Sequence, residues 1–154
     1  MNTLKKITLI VTLTLLGAVS TALAQQTIEI VGTDNMKFSV TSIEAEAGEE
    51  ITIKLTTKSQ IPKTAMAHNV VVIDKDANVD EVAMASMQAR GNDYIAADYK
   101  DQIVAATALA GGGETVEVTF TVPDQPGDYE FICTFPGHYQ AGMKGVISVK
   151  NSAS

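Results

Sequence analysis

Hydrophobic and polar residues alternate with period two along most of the chain, which is the pattern of β-strands that bury one face. In residues 51–56, Ile51, Ile53 and Leu55 alternate with polar side chains, and residues 116–122 repeat this pattern. Clusters of Gly, Pro, Asp and Asn separate such segments and mark turns. About eight short strands of this kind predict an all-β fold, a Greek-key β-sandwich or barrel.

Residues 74–100 depart from the strand pattern and predict a small helical insertion. Asn78, followed three residues later by Glu81, is a variant of the capping box at a helix N-terminus. Gly91 stands where such a helix would end. The apolar positions that share one face of this helix are Val79, Val82, Ala83 and Met87.

The first 24 residues have the organisation of a targeting segment. Lys5 and Lys6 precede an apolar run at residues 7–16, and small residues at positions 22–24 provide a cleavage site before Gln25. The alternative, an uncleaved membrane anchor, requires a longer apolar stretch than this one. We therefore predict a signal peptide at residues 1–24 and an exported, periplasmic protein with one domain at residues 25–154.

The charge of the chain is acidic and limits the partners that it can bind. Two of the 11 basic and none of the 18 acidic residues lie in residues 1–24, so the remaining chain carries a formal charge of −9. Such a charge argues against nucleic acid and against stable association with anionic membranes. It suits a freely diffusing protein that meets a basic partner, although solubility alone would also explain it, and we expect a monomer.

Candidate chemistry is concentrated in residues 133–143, which join two predicted strands. The alternation on either side turns both Cys133 and Met143 inward, and His138 lies in the loop between them. His68 is the other histidine of the chain, at the start of an apolar run. Taken singly, a buried Cys, a core Met and a satisfied His are each ordinary. Together a thiolate, two imidazoles and a thioether fit a trigonal copper site with a weak axial ligand.

The motif Cys-Thr-Phe-Pro-Gly-His at residues 133–138, followed by Met-Lys-Gly and preceded far upstream by His-Asn, resembles the cupredoxins, in particular azurins and auracyanins. The resemblance implies one type 1 copper ion with His68, Cys133 and His138 as equatorial ligands and Met143 as axial ligand. It implies an electron carrier, not an enzyme. Four residues separate the loop His and Met, as in auracyanin-like members. Ala67 replaces the Gly that precedes the first His in azurins, so an approach of its carbonyl to the metal is left open.

The resemblance also implies supporting and partner-facing residues. Asn69 is expected to hydrogen bond with Thr134 and so to connect the first histidine to the cysteine loop. The loop histidine is expected to expose one edge within a small apolar patch through which redox partners, such as c-type cytochromes or copper oxidoreductases, exchange electrons. The candidates for this exit patch are Met36, Met66, Pro136 and Ala141.

Two other functions compete with electron transfer. A copper chaperone or storage protein would use an open, exchangeable site rich in Met or His, and two histidines do not form such a tract. A cysteine-nucleophile enzyme could use Cys133 with a His and Asn69, but no glycine-rich oxyanion loop accompanies the cysteine, and Met143 would have no role. Reversible bleaching of a blue protein separates the carrier from both.

Overall fold

A computed structural model describes residues 26–152; the predicted signal peptide at residues 1–24 lies outside this range. The described residues form eleven strands and one α-helix. The strands are β1 (Gln26–Thr33), β2 (Lys37–Phe38), β3 (Ser42–Glu46), β4 (Glu50–Lys58), β5 (Ala67–His68), β6 (Val71–Ile73), β7 (Ile103–Ala106), β8 (Ala110–Gly111), β9 (Thr115–Thr121), β10 (Gly127–Ile132) and β11 (Lys144–Lys150). The helix is α1 (Val79–Ser86), and 3-10 turns follow at Arg90–Asn92 and Ala97–Gln102.

The strands form a sandwich of two main sheets. One sheet has the order β2-β1-β4-β9, the other has the order β3-β11-β10-β6-β7, and β5 pairs with β8 in a small ribbon. After β2 the chain crosses to the other sheet to form β3 and returns to form β4, which pairs in parallel with β1. The all-β Greek-key prediction is confirmed as a sandwich, and the described strands do not close into a barrel. Three strands have two residues each, which leaves the eight longer strands that the alternation predicts.

The core lies between the facing sheets and follows from the alternation. Ile51, Ile53 and Leu55 of β4 are fully buried, whereas Lys54 between them reaches solvent. β10 contributes Phe131 and β11 contributes Ile147 from the other side. At roughly 25 cal/mol per Å² of apolar surface, burying each such side chain stabilises the fold by about 1.5–3 kcal/mol. The sandwich thus provides a rigid support for the loops at its end.

The insertion contains the predicted helix, but the helix is shorter than predicted. Asn78 is the N-cap, with its Oδ1 accepting from the Glu81 backbone N–H at 3.4 Å. The helix ends at Ser86 instead of near Gly91, because Ser86 turns inward and its Oγ accepts from the Ala96 N–H at 3.1 Å. The chain then folds back through 3-10 turns. As a result, Ser86 is buried beside Val82 and Ala83, while Met87 is only partly buried.

Gly32 belongs to β1. It pairs with Thr57 in β4 and with Phe38 in β2, and the turn follows at residues 34–36. Met36 closes this turn in the left-handed conformation, with φ of 53°. Among the described residues, no helix is long and apolar enough to cross a membrane.

Candidate metal centre

Two separate parts of the chain bring the candidate ligands to one end of the sandwich. His68 ends the short strand β5, and Cys133 follows β10 directly. The loop after Cys133 folds back on itself, because the Met143 N–H donates to the His138 carbonyl and the Cys133 N–H donates to the Met143 carbonyl, both at 3.0 Å. A third bond, from the His138 N–H to the Phe135 carbonyl, tightens its first turn. The loop therefore holds a thiol, an imidazole and a thioether side by side.

Three donor atoms converge on one point. The two histidine Nδ1 atoms are 3.2 Å apart, and the Cys133 Sγ lies 3.4 Å from His138 Nδ1 and 3.9 Å from His68 Nδ1. The point equidistant from the three corners of this triangle lies about 2 Å from each, close to metal–nitrogen and metal–thiolate bond lengths in proteins. Cys133 and His68 are fully buried, and His138 is 3% exposed. The spacing, the chemical type and the burial of the donor atoms thus fit a copper ion.

Met143, the fourth candidate ligand, and Ala67, the residue before His68, also lie in this region. Met143 is fully buried and is joined to both Cys133 and His138 by the backbone hydrogen bonds of the loop. Ala67 is fully buried and pairs with Gly111 in the β5–β8 ribbon. Axial ligation by Met143, and any approach of the Ala67 carbonyl to a metal, stay predictions.

Burial keeps the donors neutral in the metal-free protein. It raises the pKa of the Cys133 thiol to about 12. Backbone hydrogen bonds from Asn69 and Phe135 stabilise the thiolate and lower the pKa, but their effect is smaller than that of burial. Burial, helped by the neighbouring His68 ring, lowers the pKa of His138 to about 4. The pKa of His68 is also lowered, by burial above all, although the Asp34 charge and the Thr33 backbone act in the opposite direction. At neutral pH the site holds two neutral imidazoles and a protonated thiol.

A missing side chain makes room for His68. A Cβ on Gly32 would lie 2.6 Å from His68 Cδ2 and 2.9 Å from Cγ, so the ring packs directly against the β1 backbone. The Nε2 of the same ring is buried and makes no hydrogen bond with the described residues. The sequence did not identify Gly32 as a site residue. A lone glycine within a strand is the signal that could have found it, since it often marks a close approach.

Asn69 and Thr134 are hydrogen bonded to each other and to the helical insertion. The Thr134 N–H donates to Asn69 Oδ1 at 2.9 Å, and Asn69 Nδ2 donates to Thr134 Oγ1 at 2.8 Å. Asn69 Nδ2 also donates to the Asp93 carbonyl at 3.0 Å, and the Thr134 hydroxyl donates to the Tyr94 carbonyl at 2.5 Å. Asp93 and Tyr94 have φ of 50° and 58°, the left-handed region that costs a non-glycine residue about 1 kcal/mol or more. The hydrogen bonds to their carbonyls hold the insertion against the site.

A lysine from β2 holds the far half of the loop. Lys37 Nζ donates to the Ala141 carbonyl at 2.8 Å and to the Gly142 carbonyl at 3.3 Å, directly before Met143. Gly142 has φ of 84°, a conformation that glycine adopts readily. No local sequence signal marks Lys37, because the contact depends on tertiary structure.

The four residues of the predicted exit patch lie on segments that flank the centre. Met36 and Met66 are half-buried, and Pro136 and Ala141 are exposed. The bond from Lys37 to Ala141 brings the segment that contains Met36 beside the loop. Another apolar residue, Met84 of α1, is 57% exposed, with its Sδ 3.9 Å from Gln140 Nε2 in the same loop. Met84 is not among the four patch residues that were predicted from the sequence.

A two-sheet β-sandwich that gathers His, Cys, His and Met at one end defines the cupredoxins, the class of type 1 copper proteins. The chain belongs to the plastocyanin/azurin family of copper binding proteins, whose model matches residues 24–150. It is 41% identical over 126 residues to azurin of Alcaligenes faecalis, which covers 79% of this chain and 96% of that protein.

Solved structures of auracyanins are similar to this chain in fold and in sequence. The "blue" copper protein auracyanin A of Chloroflexus aurantiacus superposes with a TM-score of 0.72 at 36% identity, covering 82% of this chain and all of that one. Reduced auracyanin of Roseiflexus castenholzii superposes with a TM-score of 0.68 at 34% identity, covering 80% of this chain and 96% of that one. The resemblance noted in the loop motif is thereby confirmed for the family and for copper as its cofactor.

Binding of a thiophilic ion to the metal-free protein should release about one proton per ion at pH 7, because the thiol must ionise whereas both imidazoles are already neutral. Affinity should accordingly rise about tenfold per pH unit through the neutral range. As pH falls below 6.5, the lowered histidine pKa values also make the metal-free fold less stable, because the unfolded chain binds protons that the folded site does not. A Zn(II) titration with a pH indicator measures the stoichiometry.

Cys133→Ser provides the control for this titration, because its hydroxyl is not expected to ionise and no proton should appear. If the unsubstituted protein also releases none, Cys133 either is not a ligand or is already a thiolate.

Proposed function

We propose that this chain is an exported electron carrier that accepts and donates single electrons at a centre made by His68, Cys133, His138 and Met143. Copper, when bound, supplies one-electron chemistry between its +2 and +1 states. The observation that carries the proposal is the convergence of three buried donor atoms around one point with metal-bond spacing. A periplasmic location is part of the proposal and is supported by the signal-peptide pattern of residues 1–24.

The protein's own contribution is to hold a fixed set of donors away from water. The Cys133 thiolate binds strongly, the neutral imidazoles suit both oxidation states, and the Met143 thioether favours the reduced one. Asn69 and Thr134 prevent the two ligand-bearing segments from separating. Because these hydrogen bonds and the backbone bonds of the loop hold the donors in place, little rearrangement is needed when the charge at the centre changes.

Electrons would enter and leave through the apolar surface beside His138. The proposed exit patch consists of Met36, Met66, Pro136 and Ala141, and the exposed Met84 extends it on the side of Gln140. A small apolar patch supports brief, weak docking. We infer that the partners are redox proteins such as c-type cytochromes or copper oxidoreductases, met by a monomer.

The two alternatives are less well supported. A chaperone or storage protein must exchange its ion readily, whereas Cys133 and His68 are fully buried. A nucleophilic cysteine needs a thiolate at neutral pH, whereas burial raises the pKa of Cys133 to about 12. The enzyme alternative also leaves the buried Met143 without a role.

Copper-loaded protein should be intensely blue, bleach when reductant is added and regain its colour when an oxidant follows, over repeated cycles. Absorption spectroscopy with protein-film voltammetry measures this. A colourless copper complex, or copper that a competing chelator removes at each reduction, would indicate a chaperone or store. A metal-free protein that alkylating reagents modify rapidly at neutral pH would indicate a reactive cysteine instead.

A further inference from the structure

A surface pocket lies beside the metal centre and is not part of the proposed exit patch. Its volume is about 240 Å³, and it is lined by Lys63, Thr64, Arg90, Tyr94, Leu109 and Phe135. Tyr94, Leu109 and Phe135 are buried and form an apolar floor, whereas the other three are exposed around the rim.

One aromatic ring separates this pocket from the candidate ligands. The Phe135 ring centroid lies 4.8 Å from that of His138, and the Tyr94 ring contacts Phe135 edge-on at 5.1 Å. Phe135 also lies two residues after Cys133 in the loop. A reactant seated in the pocket would therefore be close enough to exchange electrons with the centre through a single side chain.

The rim of the pocket is cationic on a protein that is otherwise acidic. Arg90 is the only arginine of the chain, whose formal net charge is −7. Within residues 26–152 Arg90 makes no ion pair, and the five ion pairs found there all use lysines. Lys63 is partly neutralised, because its Nζ lies 2.7 Å from Glu114 Oε2. No carboxylate lines the pocket itself.

We propose that this pocket is a docking subsite for a carboxylate that a redox partner presents on an otherwise apolar surface. The guanidinium of Arg90, which makes no ion pair within residues 26–152, matches a carboxylate in charge and planar geometry. The apolar floor formed by Tyr94, Leu109 and Phe135 receives the surface around that carboxylate. This proposal rests on the proposed electron-transfer function. The subsite would give the carrier a preference for partners that present a negative charge, despite the acidic charge of the protein itself.

Arg90→Gln tests the subsite in the copper-loaded, reduced protein. Stopped-flow oxidation is followed with the trianion hexacyanoferrate(III) and with the trication tris(1,10-phenanthroline)cobalt(III), at low ionic strength. In the first reaction one electron leaves the protein and converts hexacyanoferrate(III) to hexacyanoferrate(II), with no proton transferred. We expect the second-order rate constant with the anion to fall about 3- to 10-fold, because a positive charge near the reacting anion is lost. The rate with the cation should stay the same or rise slightly.

Lys150→Gln is the matched control. It removes the same charge at the opposite end of β11 from the loop, about 20 Å of strand away from Lys144 at the rise per residue of a β-strand. Its rate with the anion should change by less than about twofold, since screening limits remote charges. Arg90→Lys, which keeps the charge, should stay near the unsubstituted rate. Equal losses in Arg90→Gln and Lys150→Gln would show a net-charge effect and overturn the subsite.

The apolar floor needs a separate measurement. Benzoate, a redox-inert carboxylate with an aromatic ring, should slow the hexacyanoferrate(III) reaction more than acetate does at equal ionic strength, and Arg90→Gln should remove the difference. Equal effects of benzoate and acetate would overturn a carboxylate site with an apolar floor. Failure of the proposed function gives a different result, since neither metal complex would then oxidise the protein.

Discussion

Cys133→Ser should abolish the intense blue absorption of the copper-loaded protein and leave the β-sandwich folded. The band requires a thiolate bound to copper, and the chain contains no second cysteine that could take its place. A serine hydroxyl occupies nearly the same volume, and its Oγ would remain within hydrogen-bonding reach of His138 Nδ1, now 3.4 Å from the sulfur. The expected change in the free energy of unfolding is therefore modest, about 1–2 kcal/mol. Visible absorption and far-UV circular dichroism measure the two effects.

Met84→Leu is the control for this loss of colour. It removes a sulfur atom from an exposed side chain outside the donor set, so that the spectrum should be unchanged. An intense blue band retained in Cys133→Ser would contradict the assignment of the whole site.

Gly32→Ala should weaken copper binding about 10- to 100-fold, the range found when residues that orient a metal ligand are changed. The new Cβ would lie 2.6 Å from His68 Cδ2, so the ring must shift away from the point at which the three donors converge. Overpacking of this kind also costs about 1–3 kcal/mol of stability. Copper competition with a chelator gives the affinity, and thermal unfolding of the metal-free protein gives the stability.

Gly91→Ala is the matched control for the glycine substitution. A Cβ at Gly91 meets nothing within 4 Å, so affinity should be unchanged and stability should change by less than about 0.5 kcal/mol. Unchanged copper affinity and colour in Gly32→Ala would show that the position of the His68 ring does not depend on contact with β1.

The sequence was most informative where a residue's environment is decided by local alternation. Ile51, Ile53 and Leu55 are buried as predicted, because period-two patterns report directly which face of a strand meets the core. The same logic turned Cys133 and Met143 inward. The two-residue strands β2, β5 and β8 are too short to show an alternation.

The parts that could not be predicted depend on contacts between distant residues. The early end of α1 depends on the Ser86 side chain finding the Ala96 N–H, and the role of Gly32 depends on a histidine in another strand. Arg90 had no local signal at all, since its surroundings are assembled from the insertion and three loops. Contacts between side chains that are distant in sequence are determined by tertiary packing, and this packing cannot be read from a single sequence.

The pairing of β3 with β11 determines when the centre can form during synthesis. β3 is an edge strand, and its neighbour in the sheet is β11, with Ile43 opposite Ile147. β3 is synthesised early but cannot pair in its sheet until β11, the last strand, is available. Contacts of such long sequence separation form slowly, because a large loop must close before they are made. Met143 directly precedes β11. A chain whose final strand has not yet emerged thus lacks both the sheet neighbour of β3 and the predicted axial ligand, so we expect copper uptake to follow completion of the polypeptide.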